Sequence, residues 1–386
     1  MSNRSNLSST NPEQRHGPAL AFAALDRYIE KHIVLPVETV RNEGTLVDWG
    51  TGNGYPLYLF GLYNNAPTLR SVVDGTVDFI GGDDVTCSEA RWNGGKAMNR
   101  LGETPFVLVR QQALNEMLYG GRAWQIIRDR AGAVAEVYCI PLRFLRCNKD
   151  CTVFYYSEDW GVPGKRVKSV RYPSFRSDLD WATLTDEERD ANASSILYAK
   201  GDIAQVYPSP CYAASVKACE MERCIDDFHL NSLNNSFTSS VLINFNNGIP
   251  LDAQKEEIER NANEKFAGYQ NGGRAMFSWN DNRESQTTIT PIKVEDFGAR
   301  YDAVSNHSRQ QIFTAFRAVP SIFGLPTASG FSFEEYEQAF RLYNRVRVRP
   351  VQRAISDDFE RIYGAPVLTI VPFSLEENDG GEAVVR

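Results

Sequence analysis

PSPCYAASVKACEMERCIDDFHLNSLNNSF (208–237), VLINFNNGIPLDAQKEEIERNANEKFAGYQNGGRAMFSWND (241–281), VEDFGARYDAVSNHSRQQIFTAFRAV (294–319), PSIFGLPTASGF (320–331) and SFEEYEQAFRLYNRVRVRPVQRAISDDFERI (332–362) are the segments that decide the fold. The first runs from Pro208 to Phe237 with no proline beyond Pro210 and no glycine, which predicts one long helix starting at the prolines, since a proline in the first helical turn lacks only an N–H that has no partner there. Its apolar residues Tyr212, Val216, Cys219, Ile225, Phe228, Leu233 and Phe237 drift around the helix, and Glu220, Glu222, Asp226 and Asp227 form an acidic flank. The second segment reads as strand (Val241–Phe245), turn (Asn246-Asn247-Gly248), helix (Leu251–Phe266, closed near Gly268), turn (Gln270 to Gly273) and strand (Arg274–Trp279), with Ile289–Ile292 as an added edge. The third predicts a second long helix, Val294–Arg317, with Phe297, Tyr301, Val304, Ile312, Phe313 and Phe316 turned inward. Two long helices thus bracket a small α/β insert and can run side by side with the insert at one end.

The fourth segment carries two prolines and two glycines and cannot extend a helix; it is expected to expose Ile322, Phe323 and Leu325. The fifth starts sharply: Ser332 and Glu335 make an S-x-x-E capping box, and Phe331 can staple onto Tyr336. Pro350 lies well inside this helix and predicts a kink, because it removes an N–H and clashes with the carbonyl of Val346. Arg341, Arg345, Arg349 and Arg353 recur every fourth residue as a slanting basic ridge, with Arg347 nearby. A solvated face or ion pairs to a neighbour is the preferred reading of the ridge; contact with phosphate is the alternative.

Upstream, the first 18 residues are polar and expected to be disordered, and a short amphipathic helix is expected around Leu20–Ile33. Pro56–Tyr63, Leu69–Ile80 and Phe106–Leu118 read as helices, with Asp83 and Asp84 in a loop. WQIIRDR, VAEVYCIPLRFLRCN, TVFYYSE and ILYAK read as strands separated by turns such as Asn148-Lys149-Asp150 and Val162-Pro163-Gly164. Leu20 to Gln205 is therefore expected to form one α+β domain. The 386 residues are 42% hydrophobic and 11% aromatic, enough for packed cores, and the formal charge of −8 argues against whole-surface nucleic-acid binding. No apolar run suggests a membrane span, and the N-terminal stretch lacks the apolar core of a signal peptide, so synthesis inside a cell is expected.

Catalytic groups are sparse. Leu46-Val47-Asp48-Trp49-Gly50-Thr51-Gly52-Asn53-Gly54 resembles the glycine-rich first motif of S-adenosylmethionine-dependent methyltransferases, with Asp74 near the distance of an acidic ribose partner. Such chemistry needs a strand before the turn, a helix after it and a parallel sheet. Only Thr45–Val47 offers a strand, Pro56 follows the glycines, and no strand–helix alternation continues, so a glycine-rich loop between helices is preferred. Of the four histidines, His229 and His307 lie mid-helix, and no nucleophile elbow, HExxH or phosphate-binding loop occurs. Asp226 with Asp227, and Asp357 with Asp358, point about 100° apart on a helix and read as solvated faces. The seven cysteines (Cys87, Cys139, Cys147, Cys151, Cys211, Cys219, Cys224) are read as reduced thiols. Cys147 and Cys151, four apart, lack a second half-site for zinc. No enzyme activity, no cofactor and no metal are expected.

The arrangement resembles the portal proteins of HK97-like tailed bacteriophages, over most of the chain and most clearly from Tyr207 onward. The matching pieces occur in order: the Pro-bounded helix leading to Phe245-Asn246-Asn247-Gly248-Ile249-Pro250; an amphipathic helix ending at Phe266-Ala267-Gly268 and the turn to Gly273; a helix running into Phe316-Arg317-Ala318-Val319-Pro320-Ser321-Ile322-Phe323-Gly324; and Glu337-Gln338-Ala339-Phe340 leading to Pro350. The resemblance implies a ring-forming α+β portal fold. Its parts would be a disordered arm (1–18), an α/β wing (19–207), stem helices (208–237 and 294–319), a clip (238–293), a tunnel loop (320–331), a kinked helix with a wing strand (332–374) and an acidic tail (375–386). A helical crown is expected to be short or absent. It further implies a ring, usually of twelve subunits, at one capsid vertex of the virion, made in the host bacterial cytoplasm, that passes double-stranded DNA during packaging and ejection. Its partners would be terminase, the major capsid protein or scaffold, and the head-tail connector, with no membrane involved. Ser321, Ile322, Phe323 and Leu325 would approach DNA; Asn246, Asn247, Gln270, Asn271 and Arg274 of the clip would face terminase and connector.

Overall fold

Proline and glycine set where the first elements begin and end. In the computed structural model of the chain the described residues are 33–41, 45–89, 92, 95–201, 205–234, 241–245, 275–279, 297–324 and 333–374. Strands β1 (Glu38–Arg41) and β2 (Leu46–Trp49) pair antiparallel, and a single 3-10 turn, Thr51–Asn53, leads into α1 (Tyr55–Asn65). Helix α2 (Pro67–Gly81) follows after one residue. Pro56 and Pro67 both occupy the first turn of their helices, where the absent N–H is harmless. The predicted stripe of α2 (Leu69, Val72, Val73, Thr76, Val77, Ile80) is buried throughout, as its three- and four-residue spacing requires. Asp84 opens strand β3 (Asp84–Cys87) instead of lying in a loop, and only Asp83 precedes it.

Thr104 caps α3 (Pro105–Tyr119), and Gly120 closes it in the left-handed conformation. The expected β-rich stretch then forms β4 (Gly121–Arg128), β5 (Val134–Cys139), β6 (Leu145–Cys147), β7 (Val153–Tyr156), β8 (Val170–Pro173) and, after the short α4 (Asp186–Asn192), β9 (Ser194–Lys200). They make two three-stranded antiparallel sheets, ordered β5-β4-β9 and β6-β7-β8, with Trp124 opposite both Cys139 and Leu197. Two of these elements, β8 and α4, have no counterpart among the sequence expectations. Helix α4 buries no residue, so it has no apolar period; only its capping box, Thr185 with Glu188, marks it.

The chain divides into two compact units, Met1–Lys217 with Phe313–Arg386, and Ala218–Ile312. The second unit contains most of α5 (Val216–Asn234), the parallel pair β10 (Val241–Phe245) and β11 (Ala275–Trp279), and most of α6 (Phe297–Phe316). The two strands pair in register, Val241 with Ala275 through Phe245 with Trp279, the parallel pairing that a strand–helix–strand connection produces. The expected helix Leu251–Phe266 and edge Ile289–Ile292 lie outside the described residues, as do the arm 1–18 and the helix expected from Leu20, of which only Ile33 is described and belongs to no element. Arg223 holds α5 with pairs to Glu220 at 2.7 Å and Asp227 at 2.6 Å. Of the residues expected inward on α6, Ile312, Phe313 and Phe316 are buried while Val304 is 42% exposed.

The helix expected from Pro208 begins at Val216, after a 3-10 turn at Ala213–Ser215. Tertiary contacts hold the preceding residues in bends and a turn. Tyr207 stacks on Trp49 at 4.6 Å and donates to the Val47 carbonyl at 2.5 Å, and Tyr212 donates to the Leu118 carbonyl at 3.0 Å. In the first unit, the C-terminal elements are a 3-10 turn at Pro320–Phe323, helix α7 (Phe333–Tyr343), a π-helical turn at Asn344–Val348, helix α8 (Arg349–Tyr363) and strand β12 (Leu368–Val371), which pairs antiparallel with β3. The capping box read at Ser332 lies outside the described residues. The class is α+β, as expected.

Candidate functional site

The Gly50–Gly54 turn lies between strand β2 and helix α1, so a strand and not a helix precedes it, which corrects the expectation of a loop between helices. Its sheet, however, is the two-stranded antiparallel pair β1-β2, not the parallel sheet a dinucleotide-type site needs. The turn is also filled by its own chain. Gly50 (φ 82°) is so close to Tyr55 and the Leu35 carbonyl that an added Cβ would lie 2.3 Å from the Tyr55 Cβ. The Asn53 side chain accepts from the Trp49 N–H at 3.0 Å and from Arg146 Nε, and Arg146 Nη2 donates to the Asn53 carbonyl at 3.0 Å. Arg146 is 1% exposed, with its guanidinium 5.7 Å from the Trp49 ring and 5.5 Å from the Trp160 ring. Burial pushes its pKa down to about 10, which leaves it charged at neutral pH. The expected ribose partner, Asp74, instead accepts from Tyr63 and Arg70. The glycine turn is a packing joint around a buried arginine, and its geometry gives no support to a methyltransferase.

The loop after α6 is also more internal than its composition suggests. Ile322 is 6% exposed, and Phe323 packs against Tyr343 (ring centroids 5.6 Å apart), Phe79 (6.0 Å) and Phe313 (6.0 Å). Gly75 of α2 makes room for it: a Cβ there would lie 2.9 Å from the Phe323 ring. The expected exposure of Ile322 and Phe323 is therefore overturned, because an aromatic cluster of α2, α6 and α7 gathers them in. The Ser321 hydroxyl is buried with no partner among the described residues, and Leu325 lies outside them.

Pro350, where a kink is expected, directly follows a π-helical turn. The five residues before Arg349 wind as a π-helix, and the Arg349 N–H donates to the Asn344 carbonyl, one residue further back than in an α-helix. Tyr343 and Arg349, at its two ends, keep right-handed helical torsions, so the wider turn absorbs the proline's missing donor and ring without breaking the helix. The π turn points Asn344 and Val348 inward and leaves Arg345 and Val346 exposed. Arg347 lies between, 3.6 Å from the Met117 sulfur and 5.9 Å from the Phe316 ring. Along the ridge, Arg341 pairs with Glu337; Arg345, Arg349 and Arg353 are exposed and have no carboxylate within 4.0 Å among the described residues.

Asp358 is another correction: it is buried at 2% exposure, not on a solvated face. Arg122 Nε meets its carboxylate at 2.7 Å, Trp124 Nε1 donates to it at 3.0 Å, and Arg122 Nη1 also pairs with Glu116 at 2.8 Å. Asp226 and Asp227 are exposed, as expected. His307 is exposed and sits 2.7 Å from the Gln311 side chain. No group of three or more metal-ligating side chains forms among the described residues. The clip candidates Asn246, Asn247, Gln270, Asn271 and Arg274 lie outside them. The pairs Arg146–Asn53 and Arg122–Asp358 escaped the sequence reading because their members come from distant segments; for Asp358, its place three residues after Ile355 and four before Ile362 marked it as facing inward.

No protein-family profile and no curated protein sequence matches the chain. Solved structures do match in fold. A chain from the neck of a native gene transfer agent (GTA) particle computed with C12 symmetry is 14% identical, covers 81% of this chain and 83% of its own, and superposes at a TM-score of 0.50. A chain from the virion of the native GTA particle is 15% identical with the same coverage and a TM-score of 0.50. An HK97 family phage portal protein from Corynebacterium diphtheriae is 12% identical over 78% of this chain and 90% of its own, at a TM-score of 0.45, too low to carry an argument. At these identities the likeness defines the fold: the chain shares the α+β fold of these gene transfer agent chains.

Proposed function

We propose that this chain is a portal protein, the ring-forming channel subunit at one vertex of a tailed-phage or phage-like capsid. The observation that carries the reading is the fold shared over four fifths of the chain with a particle-neck component whose assembly was computed with C12 symmetry. The same architecture supports dividing the chain by role. Segments Met1–Lys217 and Phe313–Arg386 supply the wing and the kinked helix; α5 and α6 supply the stem; the insert between them supplies the clip, whose Asn246, Asn247, Gln270, Asn271 and Arg274 dock terminase and the head-tail connector.

The channel role follows from charge. With 49 acidic residues against 41 Lys and Arg the chain has no excess of cations, and an acidic or mixed lumen, unlike a strongly basic one, would release few counterions and let double-stranded DNA slide instead of sticking. Contact with DNA from the loop falls to Leu325 and the residues beyond it, since Ile322 and Phe323 are engaged within the subunit. Exposed Arg345, Arg349 and Arg353 serve as contacts to a neighbouring subunit's carboxylates or to phosphate. The motor's nucleotide chemistry would reside in terminase.

Negative-stain microscopy of the purified chain tests the proposal. Closed rings with a central hole are expected, with twelve-fold averages the leading class. Monomers that persist at high protein concentration and in the presence of capsid protein would overturn it.

A further inference from the structure

The hairpin joining β6 to β7 brings two thiols together. Cys147 ends β6, and the turn Asn148 to Cys151 closes on a hydrogen bond from the Cys151 N–H to the Asn148 carbonyl at 3.1 Å. The Asn148 side chain braces it, accepting from the N–H groups of Thr152 at 2.8 Å and Val153 at 3.0 Å. Cys151 itself adopts φ 53°, the left-handed region that non-glycine residues rarely enter. The result is a separation of 3.8 Å between the two sulfurs. Cys147 is 1% exposed, while Cys151 is half-buried and reachable from solvent.

We propose that Cys147 and Cys151 are a redox-active pair that closes to a disulfide across the β6–β7 turn when the protein meets a peroxide or a small-molecule disulfide. The accessible thiol is Cys151 and the buried one is its resolving partner, the arrangement that favours reversible oxidation over further damage. With hydrogen peroxide, the Cys151 thiolate attacks one oxygen, breaks the O–O bond and forms a sulfenic acid, and the departing hydroxide leaves as water. The Cys147 thiol then gives up its proton and attacks the Cys151 sulfur, forming the S–S bond and expelling the second oxygen as water. Two thiols lose two electrons and the peroxide gains them. With a small disulfide the same two displacements release two small thiols.

The surroundings favour this order of attack. The hydrogen bond from Cys147 and the cation of Lys200 on β9 draw the Cys151 thiol down to about 7, against burial and the carboxylates of Glu38 on β1 and Asp150 in the turn. Cys147 is pushed up by its hydrogen bond to Cys151 and by burial. The pair also abuts the segment that enters α5: the Cys147 N–H donates to the Tyr207 hydroxyl at 3.1 Å, and the Cys151 sulfur lies 4.0 Å from the Val206 carbonyl. Oxidation would therefore lock the turn directly under that segment.

Trypsin cleaves after Arg146, Lys149 and Lys165, so the two cysteines fall in separate peptides, residues 147–149 and 150–165. Full-length protein, reduced and then freed of reductant, is exposed to hydrogen peroxide or to oxidised glutathione, alkylated and digested without reduction. The expected product is the linked peptide pair, forming ahead of modification at the other five cysteines and vanishing on reduction with dithiothreitol. In Cys147→Ser, peroxide is expected to leave a sulfenic acid at Cys151 that dimedone captures; in Cys151→Ser, Cys147 is expected to stay unmodified. Alkylation of Cys151 in the untreated native protein should rise through about pH 7, since the thiolate is the reacting form. The proposal is overturned if both cysteines remain alkylatable after oxidation, or if Cys151 goes to sulfinic acid while Cys147 stays free.

Discussion

Asp358 lies 2% exposed in α8, where Arg122 and Trp124 reach it and Glu116 completes the pairing of the arginine. Removing the cation alone leaves a carboxylate buried without its counter-charge. Arg122→Ala is therefore expected to lower unfolding free energy by about 3–5 kcal/mol, while Arg345→Ala, at an exposed ridge position, changes it by less than about 0.5 kcal/mol. Urea unfolding of the two variants beside the parent measures both. Periodicity could have located Asp358, since it shares the inward arc of α8 with Ile355 and Ile362. It could not name Arg122, more than two hundred residues earlier. Arg146 makes the same point more strongly: an arginine in a three-residue strand carries no local sign that it will fill a glycine turn contributed by another part of the chain.

At the scale of elements, local rules succeeded where the element is punctuated by proline or glycine, as in α1, α2 and α3, and most fully in the amphipathic α2. They failed where tertiary contacts compete with them. The run from Pro208 is helix-compatible, yet Tyr207 and Tyr212 gain more from burial against Trp49 and beneath the Leu118 carbonyl than the backbone gains from two more turns. Pro350 follows the local rule in part: the donor is missing, but a π turn redistributes the loss. The Pro320–Phe323 turn is the plainest case, because its composition reads as a surface loop while Ile322 and Phe323 meet an aromatic cluster. Changing both to Ser is expected to lower stability by at least about 3 kcal/mol, through lost burial and two hydroxyls introduced into an apolar site. Thermal unfolding reads this directly. A double variant that melts with the parent would return these side chains to a surface role.

For the whole molecule, the division into a discontinuous unit and a contiguous insert has a physical counterpart at the junction. Tyr212, just ahead of α5, stacks on Phe316, in the last turn of α6, with ring centroids 5.5 Å apart. The chain therefore leaves and re-enters the first unit at neighbouring points, and a short connector there has little loop-closure entropy to overcome. Replacing residues 218–312 with a short Gly/Ser linker is expected to leave the first unit folded, with a single cooperative melting transition by circular dichroism. A product without such a transition would mean that the insert is needed for the core to form. On the portal reading, the same product should fail to bind terminase while keeping its fold.

The sequence by itself determined the α+β class, the long helices on either side of an insert that contains two strands, and most helix boundaries in the N-terminal half. These follow from period, proline and glycine, which act over a few neighbouring residues. Only the tertiary structure decided that β3 pairs with β12 from the far end of the chain, that Arg146 occupies the Gly50–Gly54 turn, that Asp358 is buried against Arg122, and that Cys147 and Cys151 face each other across a strained turn. Each of those depends on which distant surfaces meet and exclude water, and a side chain's burial or charge partner is a property of that meeting, not of its own neighbours in sequence.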